Sequence, residues 1–350
     1  VDNCDFGSAV AFSLPAPTLK AQPLPAIWGG PINNVWFNFA CGDSNDPGVV
    51  HWSHGNDPDA SSDANTLVVS SASEPLVNGC IYDGVPYVFS TDKLYRLVPT
   101  FGDVSTFRAV ETACQKGLWG RTAFCVGPDG IYFLAKDGIY RTQGGAGAEI
   151  LTQPDLAVLF PQDGTIAEPI RGIAPVNYCD SVSLAWVDQL LYVDYQSMDE
   201  EAATLVYEPL WKRWSYDLYA LSGARRRIGE PGPNVHTNVF GGWDGILYQV
   251  DATLLTDAGT DIDWAVWTNW QSAEDLRALK QWGDAALNCH PGSTVSGIVV
   301  TPVTDNGNLP ASTVGINGTV RETFVIDVNA GAGALSENFG FQVSGSLTTT

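Results

Sequence analysis

Apolar residues along this chain gather in short runs that alternate with polar turns, a pattern with the two-residue period of strands rather than the period of helices. Two stretches repeat the pattern almost word for word. "YDGVPYVFSTDKLYRL" occupies Tyr82–Leu97 and "PDGIYFLAKDGIYRT" occupies Pro128–Thr142. Each places Asp-Gly before an aromatic run, then a polar turn containing Asp, then an apolar residue, Tyr and Arg. Asp-Gly favours tight reversals that need positive φ, so "VPYVFS" and "GIYFLA" are expected to be half-buried strands of β-hairpins.

The phrase recurs along the chain. "WDGILYQVD" at Trp243–Asp251 repeats the Asp-Gly opening, and "WVDQLLYVDYQ" at Trp186–Gln196 is a degenerate copy. Asp83, Asp129, Asp188 and Asp244 stand 46, 59 and 56 residues apart, close to the spacing of propeller blades. A hairpin cannot cover its own apolar face, and stacked hairpin units leave only short, protected edges. The expected fold is therefore all-β: a β-propeller of irregular blades over 27–285, an extended N-terminal arm over 1–26 and a β-rich segment over 286–350.

The remaining segments fit around that frame. In the arm, Pro15, Pro17, Pro23 and Pro25 fix φ and remove donors, so the arm is extended and becomes ordered only against its own domain or a neighbour. "IWGGPINNVWFNFACG" and "GVVHWS" (27–53) supply strands of a further blade, and 53–65 is a long polar loop. Thr204–Tyr219 ("TLVYEPLWKRWSYDLY") adds a hairpin. Ser272 as cap, with Leu276, Leu279 and Trp282 at helical spacing, predicts a short helix, against a rival strand ending in "ALKQW". "DLAVLF" (155–160) suggests a single helical turn. From 286 onward apolar and polar residues alternate around a "DNGN" turn, as in a closing blade or a small β-sandwich.

Composition sharpens the class. The chain has 350 residues, 45% of them hydrophobic, with one Met beside 12 Trp, 12 Tyr and 14 Phe. Aromatics suit pleated surfaces, while the 36 Gly and 21 Pro punctuate turns. Lys and Arg number 17 against 39 Asp and Glu, a formal charge of −22 whose field repels nucleic acid and anionic lipid. No apolar run approaches the ~18–20 residues of a membrane span, and no basic-then-apolar leader follows Val1. Seven cysteines at irregular intervals, without CxxC spacing, read as buried small hydrophobes made in a reducing compartment.

Candidate chemistry is sparse. The chain has no G-x-S-x-G elbow, P-loop, G-x-G-x-x-G or H-E-x-x-H, and no enzyme activity or cofactor is expected from it. His51 and His54 lie three apart, which on a strand sends them to opposite faces and away from a shared metal. Asp57, Asp59 and Asp63, and separately Asp257, Asp261 and Asp263, offer hard oxygen ligands for calcium, though a solvated acidic loop explains both groups as well. Arg225, Arg226 and Arg227 form the one basic run, read as a surface loop or a contact between subunits. Pro15, Pro17 and Leu24 of the arm are further subunit-contact candidates. Asn317-Gly318-Thr319 fits the glycosylation acceptor pattern with nothing else pointing to secretion.

"EPLVNGCIYDGVPYVFSTDKLYRLVPTFG" resembles the recurring phrase of the tail hub or nozzle propellers, also called stabilisation proteins, of short-tailed bacteriophages. Asn78-Gly79, Tyr87-Val88-Phe89 and Leu94-Tyr95-Arg96 sit where that family has a strand ending in Asn-Gly, an aromatic strand and an apolar-Tyr-Arg strand. Gly117–Thr142 is similar to the next blade and "TLVYEPLWKRWSYD" to a later one. "HWSHGNDPD" is similar to the family's opening near the first blade. The resemblance spans Ile27 to Asp251. It implies a structural virion protein assembled in the host cytoplasm, a homo-oligomeric ring, commonly of six. Such a ring meets portal and other tail proteins, extends the portal channel, and retains and passes DNA without specific binding. An acidic lumen would keep that DNA mobile, and the arm would strap onto an adjacent protomer. The rival reading is a propeller module binding a carbohydrate or protein ligand, as a receptor-binding tail component does. A propeller glycoside hydrolase ranks third.

Overall fold

The computed structural model describes residues 20–21, 28–32, 34–39, 46–54, 57, 60–61, 65–100, 103–152, 156, 159, 182–196, 202–218, 224–231, 236–242, 246–249, 256–257, 260–267, 280–281, 285–289, 295–304, 307–316, 322–326, 335–336 and 339–347. Compact packing divides the chain into two units, Val1–Val250 and Asp251–Thr350.

Why the first unit folds as it does can be read from its turns. Asp83 (φ 51°) and Gly84 (φ 70°) form a two-residue reversal closed by the Tyr82–Val85 pair. Asp188 (φ 49°) and Gln189 (φ 65°) make the same reversal without a glycine, closed by Val187–Leu190. In the "PDGIYF" copy the pair closing the hairpin is Gly127–Gly130, so Pro128-Asp129 forms the turn and Gly130 opens the strand. Each reversal joins the first two strands of a sheet.

The result is a series of antiparallel meanders. Sheet one comprises Trp28–Ile32, Val35–Asn38, Val49–Trp52 and Thr66–Val68; sheet two, Leu76–Tyr82, Val85–Ser90, Leu94–Thr100 and Asp103–Glu111. Phe124–Gly127, Gly130–Ala135, Gly138–Thr142 and Ala148–Ile150 make sheet three. Sheet four follows with Ser183–Val187, Leu190–Gln196, Ala202–Glu208 and Arg213–Leu218. Sheet five has three strands among the described residues, Ala224–Pro231, His236–Gly242 and Leu247–Gln249. The first strand of each sheet packs against the first strand of the next, from sheet one through sheet five. Consecutive meanders lined up by their first strands are a propeller-like arrangement.

This packing corrects the half-buried reading of the aromatic strands. Every residue of Gly130–Ala135 is buried, as is every residue of Val85–Ser90 after Val85. A strand sandwiched between two neighbouring sheets has no solvent face. In sheet two the pleat sends Val88, Tyr95 and Leu97 into one core with Phe37 and Trp52 of sheet one and with Phe39, which follows its second strand. Tyr87, Phe89 and Leu94 enter the other core with Phe133 and Tyr140 of sheet three. Phe89 and Phe133 meet across that interface with ring centroids 4.9 Å apart. Burying one such side chain contributes roughly 1.5–3 kcal/mol, so the interfaces dominate the stability of the unit.

Two other expectations change. The Asp244-Gly245 copy falls between the second and third described strands of sheet five, whereas Asp83-Gly84 joins the first and second of sheet two; residues 243–245 themselves lie outside the described set. Lys280–Gln281 are a strand paired with Leu335–Ser336, which favours the strand reading at the end of 272–282; residues 271–279 are outside the described set. In the 155–160 segment the amide of Leu156 donates to the carbonyl of Thr152 (2.9 Å) and that of Leu159 to Leu156 (3.0 Å).

In the second unit, Thr260–Trp267, which the sequence reading placed within 27–285, pairs with Phe339–Leu347. Phe339–Leu347 pairs in turn with Val295–Thr304, and Thr304 pairs with Gly307 of the "DNGN" stretch, whose residues 305–306 lie outside the described set. Ser312–Ile316 lies along the other side of Val295–Thr304, and Ala285–Cys289 pairs with Glu322–Ile326.

Candidate functional site

The repeat phrase builds a polar network at the outer strands of sheet three. Tyr132, Arg141 and Glu149 are cross-strand neighbours, registered Tyr132–Arg141 and Arg141–Glu149, so they share one face. Arg141 donates from Nη1 to Asp129 Oδ2 (2.7 Å) and from Nη2 to Glu149 Oε2 (2.5 Å), and Tyr132 Oη donates to Asp129 Oδ1 (2.7 Å). Burial works against the guanidinium's charge, but the bonds to Glu149, Tyr132 and Asp129 outweigh it and raise the Arg141 pKa. Burial and the bond to Asp129 push the Tyr132 phenol up, which keeps it a neutral donor.

Sheet four completes the site. A cleft of about 210 Å³ opens beside Glu149, Leu151 and Thr152 of sheet three's outer edge and Tyr207, Lys212 and Trp214 of sheet four. Trp214 is fixed by donation from Nε1 to the Leu151 carbonyl (3.1 Å) and packs on Tyr207, ring centroids 4.8 Å apart at 37°. Lys212 sits at φ 50° in the turn before Arg213, and its ammonium lies 3.8 Å from Glu149 Oε1. Tyr207 is 5% exposed, and its hydroxyl has no hydrogen-bond partner among the described residues. Burial, followed by the field of Glu149, raises its pKa against the opposing pull of Arg141. Next to Lys212, Leu210 and Trp211 are 78% and 67% exposed. Sequence reading missed this site because its parts come from distant segments; the signal present was the Tyr, Arg and Glu spacing that a meander turns into one ladder.

The residues singled out from sequence are dispersed. Asp57 is exposed and its amide donates to the His54 carbonyl (3.1 Å); Asp59 and Asp63 lie outside the described residues. Asp257 pairs with Thr260, Asp261 with Thr256 and Asp263 with Ser346, on strands rather than in a loop. Among the described residues no group of three or more His, Cys, Asp or Glu is placed to hold a metal ion. Arg225–Arg227 belong to the first strand of sheet five, with Arg225 at a β-bulge, which corrects the loop reading. Pro15, Pro17 and Leu24 are outside the described residues, while Lys20–Ala21 of the arm pair with Ala60–Ser61 of the same chain. Cys80, Cys114 and Cys125 are free thiols, and burial raises the pKa of each, Cys80 to about 12. No helix among the described residues is long and apolar enough to cross a membrane.

No family model and no curated protein matches the sequence. Among solved structures, the chain is similar to the dihydro-heme d1 dehydrogenase NirN in complex with DHE, at 10% identity and a TM-score of 0.36 over 83% of this chain. TolB from Acinetobacter baumannii matches at 10% identity and 0.30 over 84%. A chain of a mitotic checkpoint complex matches at 12% and 0.34, over 96% of this chain and 98% of its own. The chain spans 57% of the length of the NirN chain and 63% of that of TolB. Similarity this low bears on neither fold nor activity.

Proposed function

We propose that this chain is a structural β-propeller of a short-tailed phage tail, a hub or nozzle subunit that forms a homo-oligomeric ring, extends the portal channel, and retains and passes DNA. The observation that carries the reading is the placement of the repeat phrase. The residues resembling that family, Asn78-Gly79, Tyr87-Val88-Phe89 and Leu94-Tyr95-Arg96, fall on the first, second and third strands of one meander. Meanders of the same kind precede and follow it. Each is a blade in this reading, with first strands that open at Trp28, Leu76, Phe124, Ser183 and Ala224, 48, 48, 59 and 41 residues apart. The formal charge of −22 supports a lumen that repels a polyanion and lets it slide. The chain acts without catalytic residues or a cofactor, in the virion, after assembly in the host cytoplasm.

Imaging of the purified full chain, alone and with a portal ring, tests this. Closed rings around a hole wide enough for duplex DNA are expected. Isolated single subunits in both samples would overturn the proposal.

A further inference from the structure

We infer that the cleft between sheets three and four binds a single neutral sugar ring. This goes beyond the ring-forming role and does not depend on it. The charges beside the cleft balance, Asp129 and Glu149 against Arg141 and Lys212, so neither an anion nor a cation is favoured. What remains on offer is a set of directional polar groups. Arg141 holds Glu149 through Oε2, while Oε1, 3.8 Å from the Lys212 ammonium, is placed to accept from a hydroxyl. Lys212, its side chain 73% exposed, is a donor at the rim. Tyr207 lines the cleft, and its hydroxyl has no partner among the described residues. A hydroxylated ligand in the cleft would give that phenol a partner, since a phenol both donates and accepts.

The walls supply the other half of the recognition. Trp214, partly exposed and tilted against the Tyr207 ring, supplies the aromatic wall, and aromatic surfaces with a polar tip suit ligands that have one apolar face and one wet face. A pyranose has that character, with C–H groups on one face and hydroxyls around its edge that both donate and accept. The volume of about 210 Å³ falls below the ~300–1,000 Å³ typical of sites for drug-sized ligands, so one ring fits and a longer glycan would extend outward past Trp211.

The test uses the full chain and four probes: the methyl glycosides of glucose, mannose and galactose, and N-acetylglucosamine, each at tens of millimolar. Saturation-transfer NMR and calorimetry read binding to the native chain and to Tyr207→Phe and Glu149→Gln. Tyr207→Phe removes only an unpaired hydroxyl, so it keeps the fold testable if Glu149→Gln does not. At least one probe is expected to bind with millimolar affinity, weakened roughly tenfold by each substitution, with the thermal midpoint unchanged in Tyr207→Phe. Binding by none of the probes, or binding untouched by either variant, overturns the inference. The mass of the assembly is measured on the same samples and is expected to stay constant. A mass that falls with Tyr207→Phe would assign the cleft to a contact between copies and would also overturn it.

Discussion

Single residues carry constraints that can be tested one at a time. A methyl group added at Gly79 would lie 2.5–2.6 Å from three ring atoms of Phe39, which is wholly buried and has nowhere to move. Gly79→Ala is expected to cost about 1–3 kcal/mol through overpacking, seen as a lower urea midpoint. Asp194 and Thr204 are both buried, and the Thr204 hydroxyl donates to Asp194 Oδ1 (2.5 Å). Thr204→Val removes one donor to a buried carboxylate and is expected to destabilise by about 1–3 kcal/mol in the same measurement. The Cys80 thiol, lifted to about 12 by burial, is almost wholly protonated at neutral pH. Peptide mapping after iodoacetamide treatment is expected to find Cys80 unmodified in the native chain and modified after denaturation. Labelling of native Cys80 would contradict the packing of sheet two against sheet three.

The contacts between one sheet and the next give the protein its stability. Asp137 stands in the second turn of sheet three, where Lys116 (2.7 Å) and Tyr140 (2.9 Å) donate to it. Burial would raise its pKa, but those bonds outweigh burial and hold it below the usual carboxylate value. Its folded pKa is therefore lower than its unfolded one. The stabilisation is fully present above the unfolded value and is lost as pH falls through the folded value. Urea titrations of the native chain and Asp137→Asn should differ at neutral pH and converge as pH falls below the folded value of Asp137. A gap that persists in acid would assign Asp137 a role other than its charge.

At this scale the sequence is legible in part. The Asp83-Gly84 reversal follows from backbone chemistry alone, because both residues adopt positive φ, and the strands on either side of it follow from their aromatic runs. The displaced turn at Pro128-Asp129 was not legible, since the same dipeptide can stand at either of two positions in a hairpin. Burial on both faces of Gly130–Ala135 was hidden as well: periodicity reports one neighbour, and this strand has two. The cleft could not be read because it needs Glu149 and Tyr207 to meet, and only the side-by-side packing of sheets three and four brings them together.

For the whole molecule, the account rests on meanders joined through their first strands and on copies joined into a ring. The acidic surplus, the repeat phrase and its resemblance to phage tail propellers all support the proposed mechanical role, while the proposed sugar site is a separate property of the interface between sheets three and four. A glycan-binding function without assembly would make the cleft primary and the ring reading wrong, so the two are separable by mass. The most direct measurement is the sedimentation mass of the purified full chain at micromolar concentration. A closed assembly near six times the 37.4 kDa subunit is expected, unchanged by moderate dilution. A single species at 37.4 kDa across the concentration range, with or without portal protein, would contradict it.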